Sequence, residues 1–82
     1  GLKDVQVYPN PTDGWLQMIL PETKTYDILV YDMMGRLLQS EKIANEGDFS
    51  HALDLSAYPN GLYFVEIRQE NKSLTKKIIL SR

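Results

Sequence analysis

Ser50, His51 and Asp54 come nearest to a familiar catalytic set. A serine nucleophile needs an imidazole within hydrogen-bond reach, and the imidazole needs a carboxylate to orient it. His51 is the only histidine in the chain. It follows Ser50 directly in the alternating stretch FSHALDL, and neighbours on a strand project from opposite faces. The set cannot assemble locally, and the apolar phase of His51 predicts a partly buried strand histidine. No cysteine is present to act as nucleophile or thiolate ligand. Carboxylates are scattered, as Asp27 and Asp32 are, and Glu66 reads as a cross-strand ion-pair partner. Asn10, Thr12 and Asp13 with Gly14 gather oxygen atoms in one loop, but calcium asks for about six to eight. An Asx-type turn explains Asn10 and Asp13 instead. There is no glycine-rich phosphate loop. The expectation is therefore no enzyme: no catalytic residue, no metal and no cofactor.

The elements that would carry these side chains must fit into 82 residues, one domain at most. Without disulfides such a chain stands on packing alone. A hydrophobic fraction of 43%, with eight aromatics, suffices for a core. No run approaches the ~18 apolar residues of a membrane span. The chain begins with Gly rather than Met, and is read as a fragment of a longer protein, with any targeting segment upstream. Charge is uneven: residues 1–71 sum to −6, whereas KSLTKKIILSR at 72–82 sums to +4 through Lys72, Lys76, Lys77 and Arg82. An acidic body argues against nucleic acid, which needs a broad basic face. On charge alone the lysines are edge-strand guards against unwanted pairing; a basic, apolar handle for a partner is the sharper alternative.

The periodicity is that of strands. VQVY (5–8), WLQMIL (15–20), TYDILVYD (25–32), RLLQSEKI (36–43), FSHALDL (49–55), LYFVEIRQ (62–69) and SLTKKIIL (73–80) are separated by turn signals at PTDG, MMG, NEGD and ENK. Gly35 should supply a positive φ in the MMG turn. DLSAY could form one short helical turn. The fold class is all-β, an immunoglobulin-like antiparallel β-sandwich of about seven strands. Trp15 and most other aromatics are expected to fill the core; a row of exposed aromatics on one sheet face would instead favour sugar binding.

Tyr-Pro-Asn occurs twice, as YPNP at 8–11 and YPNG at 58–61. Pro9 removes a ladder donor and Pro11 restricts Asn10 to extended angles, so the first copy ends a strand and redirects the chain. In the second, Pro59, Asn60 and Gly61 suit a β-turn. Both copies read as punctuation.

Four blocks in order, VYPNPTDGWLQM, ILVYDMMGRLL, LDLSAYPNGLYFVEI and LTKKIIL, resemble the C-terminal sorting domain of the type IX (Por) secretion system of Bacteroidetes, over essentially the whole chain. The resemblance implies a single domain, 1–82, at the end of an exported cargo. That cargo passes through the periplasm, and the domain is recognised by the outer-membrane translocon. In many cargos a cell-surface sortase then removes it, leaving the cargo at the surface or secreted. The implied partners are the translocon, the sortase and an upstream cargo domain; dimerisation through the final strand stays open. The family's opening motif falls on Tyr8, Pro9, Asn10 and Pro11, its hairpin glycine on Gly35, and its Gly-x-Tyr on Gly61 and Tyr63. Its basic-apolar end falls on Lys76, Lys77, Ile78 and Ile79. Many members close on a lysine soon after, whereas here Leu80 and Ser81 lead to Arg82. In KKIIL, Ile78 and Ile79 must face opposite sides, so Lys76, Lys77, Ile78, Ile79, Leu80 and Arg82 form the expected recognition element, engaged by strand addition. A passive adhesive or spacer module, or a small carbohydrate-binding module, is the alternative.

Overall fold

An alternating strand has one apolar face, which can leave water only against another such face. The computed structural model describes residues 1–47 and 49–82 and resolves this demand with two sheets. Strands β1 (Gln6–Tyr8), β2 (Trp15–Ile19) and β5 (Ser50–Asp54) form the first, in the order β1-β2-β5. Strands β3 (Thr25–Asp32), β4 (Leu37–Ala44), β6 (Gly61–Gln69) and β7 (Lys72–Leu80) form the second, in the order β4-β3-β6-β7. All neighbouring strands run antiparallel. This is an immunoglobulin-like sandwich in which the fourth strand lies beside the third, not in the first sheet as in constant-type antibody domains.

The core lies between the sheets. Leu16, Met18 and Leu53 from one face meet Tyr26, Ile28, Val30, Val65, Ile67 and Ile78 from the other, each at most 1% exposed. The accessible surface of 4940 Å² is close to the ~5,000 Å² of a compact monomer of this mass, so the inner faces are closed on each other. Tyr63, near the start of β6, donates its hydroxyl to the Pro59 carbonyl at 2.6 Å. This is the tyrosine corner that ties the β5–β6 connection in such sandwiches.

The β3–β4 hairpin is organised by Asp32. Its Oδ1 accepts the N–H groups of Met34 and Arg36 at 2.9 Å, and its Oδ2 accepts Arg36 Nε at 3.0 Å. Gly35 takes φ +82°, as the turn requires. The Arg36 N–H, ahead of the other donors, holds the Asp32 carboxyl below its ordinary pKa. A bulge follows: Val30 faces Gln39 and Tyr31 faces Leu37, leaving Leu38 as the extra residue, packed on the core.

Several expectations need correction. Trp15 is 55% exposed, because Leu16 and Met18 claim the inward phase of β2 and leave Trp15 outside. Tyr8 (46%) and Phe49 (45%) are exposed as well, so the aromatic core is mainly Tyr26 and Tyr63. DLSAY forms no helix; Tyr58 N–H bonds the Leu55 carbonyl at 3.1 Å in a simple turn. A 3₁₀ turn at Leu2–Asp4 precedes β1 and was not legible in the pattern. Glu66 pairs along its own strand, with Arg68 Nε at 3.1 Å, not across strands. Of the NEGD turn, Asn45, Glu46 and Gly47 are described and Asp48 lies outside the described residues.

Candidate functional site

None of the catalytic arrangements considered from sequence is assembled. Ser50 Oγ donates to Gln17 Oε1 at 2.9 Å, and Asp54 accepts the Ser56 N–H at 2.8 Å, so neither addresses His51. His51 is half-buried with an Nε2 that lacks a partner among the described residues. Asp27 binds Lys42 at 2.9 Å while Asp32 binds Arg36. No group of three or more His, Asp or Glu able to hold a metal occurs among the described residues. Asn10, expected to close an Asx-type turn on its own loop, is instead committed to β7, and Thr12 is also committed elsewhere.

Where they are committed defines the site. Thr12 is 2% exposed; its Oγ1 donates to the Trp15 carbonyl at 2.6 Å and accepts the Gly14 N–H at 3.1 Å. Its main chain crosses to the other sheet, making a parallel bridge to Leu80. Thr12 N–H bonds the Ile79 carbonyl at 2.9 Å, and Ser81 N–H bonds the Thr12 carbonyl at 2.8 Å. Pro9 and Pro11 have no N–H to extend this contact. Asn10 supplies one from its side chain, since a primary amide carries both a donor and an acceptor. Its Nδ2 donates to the Lys77 carbonyl at 2.8 Å and its Oδ1 accepts the Ile79 N–H at 2.9 Å. The Tyr8–Pro9 and Asn10–Pro11 bonds flanking this device are both cis.

The second Tyr-Pro-Asn holds the residues just beyond. Asn60 Oδ1 accepts the Arg82 N–H at 3.1 Å and Arg82 Nη1 at 3.3 Å, while Nη2 donates to the Ser56 carbonyl at 2.6 Å. Tyr58 stacks on Tyr63, ring centroids 5.7 Å apart, and donates its hydroxyl to Gln39 Oε1. Both copies thus grip one target, the end of β7. Asn60 was missed as a functional residue from sequence, and the repeated tripeptide was the signal that could have found it.

The expected recognition residues divide by phase. Ile78 and Leu80 are each 1% exposed and belong to the core; Ile79 is 44% exposed, so the two isoleucines do face opposite sides. Lys76 shares the register of buried Val65 and is half-buried at the sheet edge, whereas Lys77 is exposed beside Phe64. Backbone pairing by Ile79 and Ser81 is already taken by Thr12, so strand addition cannot use that stretch without displacing it. Of the motif residues, Tyr8 lies on the outer face of the three-stranded sheet, Gly35 in the hairpin, Gly61 at the start of β6, and Tyr63, 5% exposed, in the core.

The outer face of the four-stranded sheet has two halves. One is ionic: Asp27 pairs Lys42, and Glu66 binds Arg68 and accepts the Tyr31 hydroxyl at 3.1 Å. The Arg68 guanidinium holds the Glu66 carboxyl below its ordinary pKa, and burial, reinforced by Glu66, pushes the Tyr31 phenol up. The other half is apolar. Tyr31 faces Phe64 and Leu37, Phe64 faces Lys77, and Leu62 faces Ile79. Among the described residues the four cations of 72–82 take part in no ion pair, while Lys24, Arg36, Lys42 and Arg68 do.

A family model described as a secretion system C-terminal sorting domain matches residues 6–81. A search of curated proteins found no match.

Proposed function

The chain belongs to the secretion system C-terminal sorting domain family, and from that premise we propose how its type IX sorting signal is read. A sorting signal implies an attached cargo and export toward the cell surface or beyond. The outer-membrane translocon recognises side chains of β7 and the residues after it: Lys77 and Ile79 on the outer face, Lys76 at the edge, and Arg82 in its asparagine socket. Ile78 and Leu80 serve by anchoring that strand in the core. The observation that carries this reading is the opposed burial of the two isoleucines, 1% against 44%, with Ile79 next to a lysine that has no ion-pair partner among the described residues. An exposed apolar side chain beside an unpaired cation offers a partner both apolar area and charge. The cargo crosses the periplasm, and a cell-surface sortase separates it from the domain. The domain itself performs no chemistry.

The test is a fusion of residues 1–82 behind a signal peptide and a fluorescent reporter, expressed in a type IX-competent host and in a translocon-deficient strain. The expected result is reporter outside the competent cell and trapped in the periplasm of the deficient one. Equal trapping in both, with the domain folded, overturns the sorting role. Export preserved after Lys77→Glu with Ile79→Ser overturns the assignment to β7.

A further inference from the structure

We propose that the apolar band crossing the outer face of the four-stranded sheet, from Leu37 through Tyr31, Phe64 and Leu62 to Ile79, docks an apolar, acid-rimmed protein surface of the export machinery. The proposal rests on the sorting reading and widens it from one strand to four. Contiguity follows from the registers: Leu37 faces Tyr31, Tyr31 faces Phe64, and Leu62, two residues from Phe64 on the same face of β6, faces Ile79. Leu37 is 50% and Ile79 44% exposed, with Tyr31, Leu62 and Phe64 half-buried between them. From the Tyr31–Leu37 corner the hairpin continues through Met33 and Met34, 67% and 86% exposed. Flexible methionines beside a rigid aromatic floor suit an adaptable protein contact.

Folding does not account for this band. The interior is closed by the inner faces, and the sheet's other half shows that its outer surface can be built from ion pairs instead. The partner's chemistry follows from the rim. Lys77 stands in the same row as Phe64 and has no ion-pair partner among the described residues, so a carboxylate beside an apolar centre is the complement. A second copy fits less well, because the carboxylates bordering the band, Glu66 and Asp32, are already paired with Arg68 and Arg36. An anionic membrane is disfavoured by the −6 charge of residues 1–71.

The experiment compares Leu37→Glu, the milder Leu37→Gln, and Ser40→Glu in the reporter fusion. Ser40 lies opposite Leu29, in the row next to the band on the ionic side. Melting of the purified 82-residue chain, its sedimentation equilibrium, and its co-sedimentation with phosphatidylglycerol–phosphatidylethanolamine vesicles are followed in parallel. The expected result is export reduced at least about tenfold by Leu37→Glu, which sets a like charge against the partner's carboxylates, with a smaller loss for Leu37→Gln. Ser40→Glu exports like wild type, all three melt together, and wild type is monomeric and free of vesicles. Export of both Leu37 variants at the wild-type level overturns the band while leaving the sorting reading intact. Failure of wild type to leave a competent host overturns the sorting reading itself. A wild-type dimer broken by Leu37→Glu, or vesicle binding lost in it, reassigns the band to a second copy or to lipid and also overturns the proposal.

Discussion

Replacing Asn10 by alanine removes two hydrogen bonds that tie the segment after β1 to β7: Nδ2 to the Lys77 carbonyl at 2.8 Å, and the Ile79 N–H to Oδ1 at 2.9 Å. Both are exposed, so water can take over the freed groups, and each bond counts toward the lower end of the ~0.5–1.5 kcal/mol range. A total of about 1.5 kcal/mol follows, which for a domain of this size lowers Tm by about 6–12 °C. The loss should be local before it is global. Amide exchange should accelerate at Thr12, Ile79 and Ser81, which are bonded in that contact, and stay slow at Val65 and Ile67 in the middle of β6. Asn10→Asp keeps an acceptor for Ile79 but loses the donor and sets a carboxylate beside the Lys77 carbonyl, so it should be at least as damaging. Unchanged protection at Ile79 in the alanine variant, or loss of protection at β6 in step with it, would refute the view that this side chain substitutes for a missing piece of ladder.

Two further outcomes follow from backbone and charge. Gly14→Ala should cost about 2–4 kcal/mol in urea unfolding, since φ is +142° and a Cβ would meet Ser56 at 3.1 Å; Gly35→Ala, with φ +82° and open space, should cost only about 1–2 kcal/mol. Asp32 and Glu66 both have folded pKa values below their ordinary ones, chiefly through the Arg36 N–H and Arg68 respectively. Their contribution is therefore complete above the unfolded carboxylate range near ~4 and is lost as pH falls through the lower folded values. Urea midpoints measured from pH 7 to pH 2 should show this decline, and Asp32→Asn should flatten part of it.

Strands were legible because alternation is local. TYDILVYD was bounded at 25–32, where β3 is found, and the doublet Ile78–Ile79 announced its own division between core and surface. Trp15 shows a different failure. Its size argues for the core, but its phase against Leu16 and Met18 places it on the outer face, and phase decides. Glu66 reads from sequence as a cross-strand ion-pair partner, but Arg68 reaches it along its own strand. Asn10 and Asn60 could not be understood locally at all. Their partners lie 67–69 and 22 residues away, and nothing in Tyr-Pro-Asn itself states what the amide will meet. The prolines end β1 and turn the chain, as their missing N–H groups dictate; that one asparagine does a strand's hydrogen bonding between them depends on two sheets being brought together.

The parallel bridge between Thr12 and Leu80 also fixes how the molecule carries load. Tension between a cargo ahead of residue 1 and machinery holding β7 would run lengthwise along paired segments that point the same way. The hydrogen bonds of Thr12, Ile79 and Ser81 would then be sheared together instead of being peeled one by one. Under such a pull the joint would hold as a tow-hook does, and would give way readily only when drawn sideways.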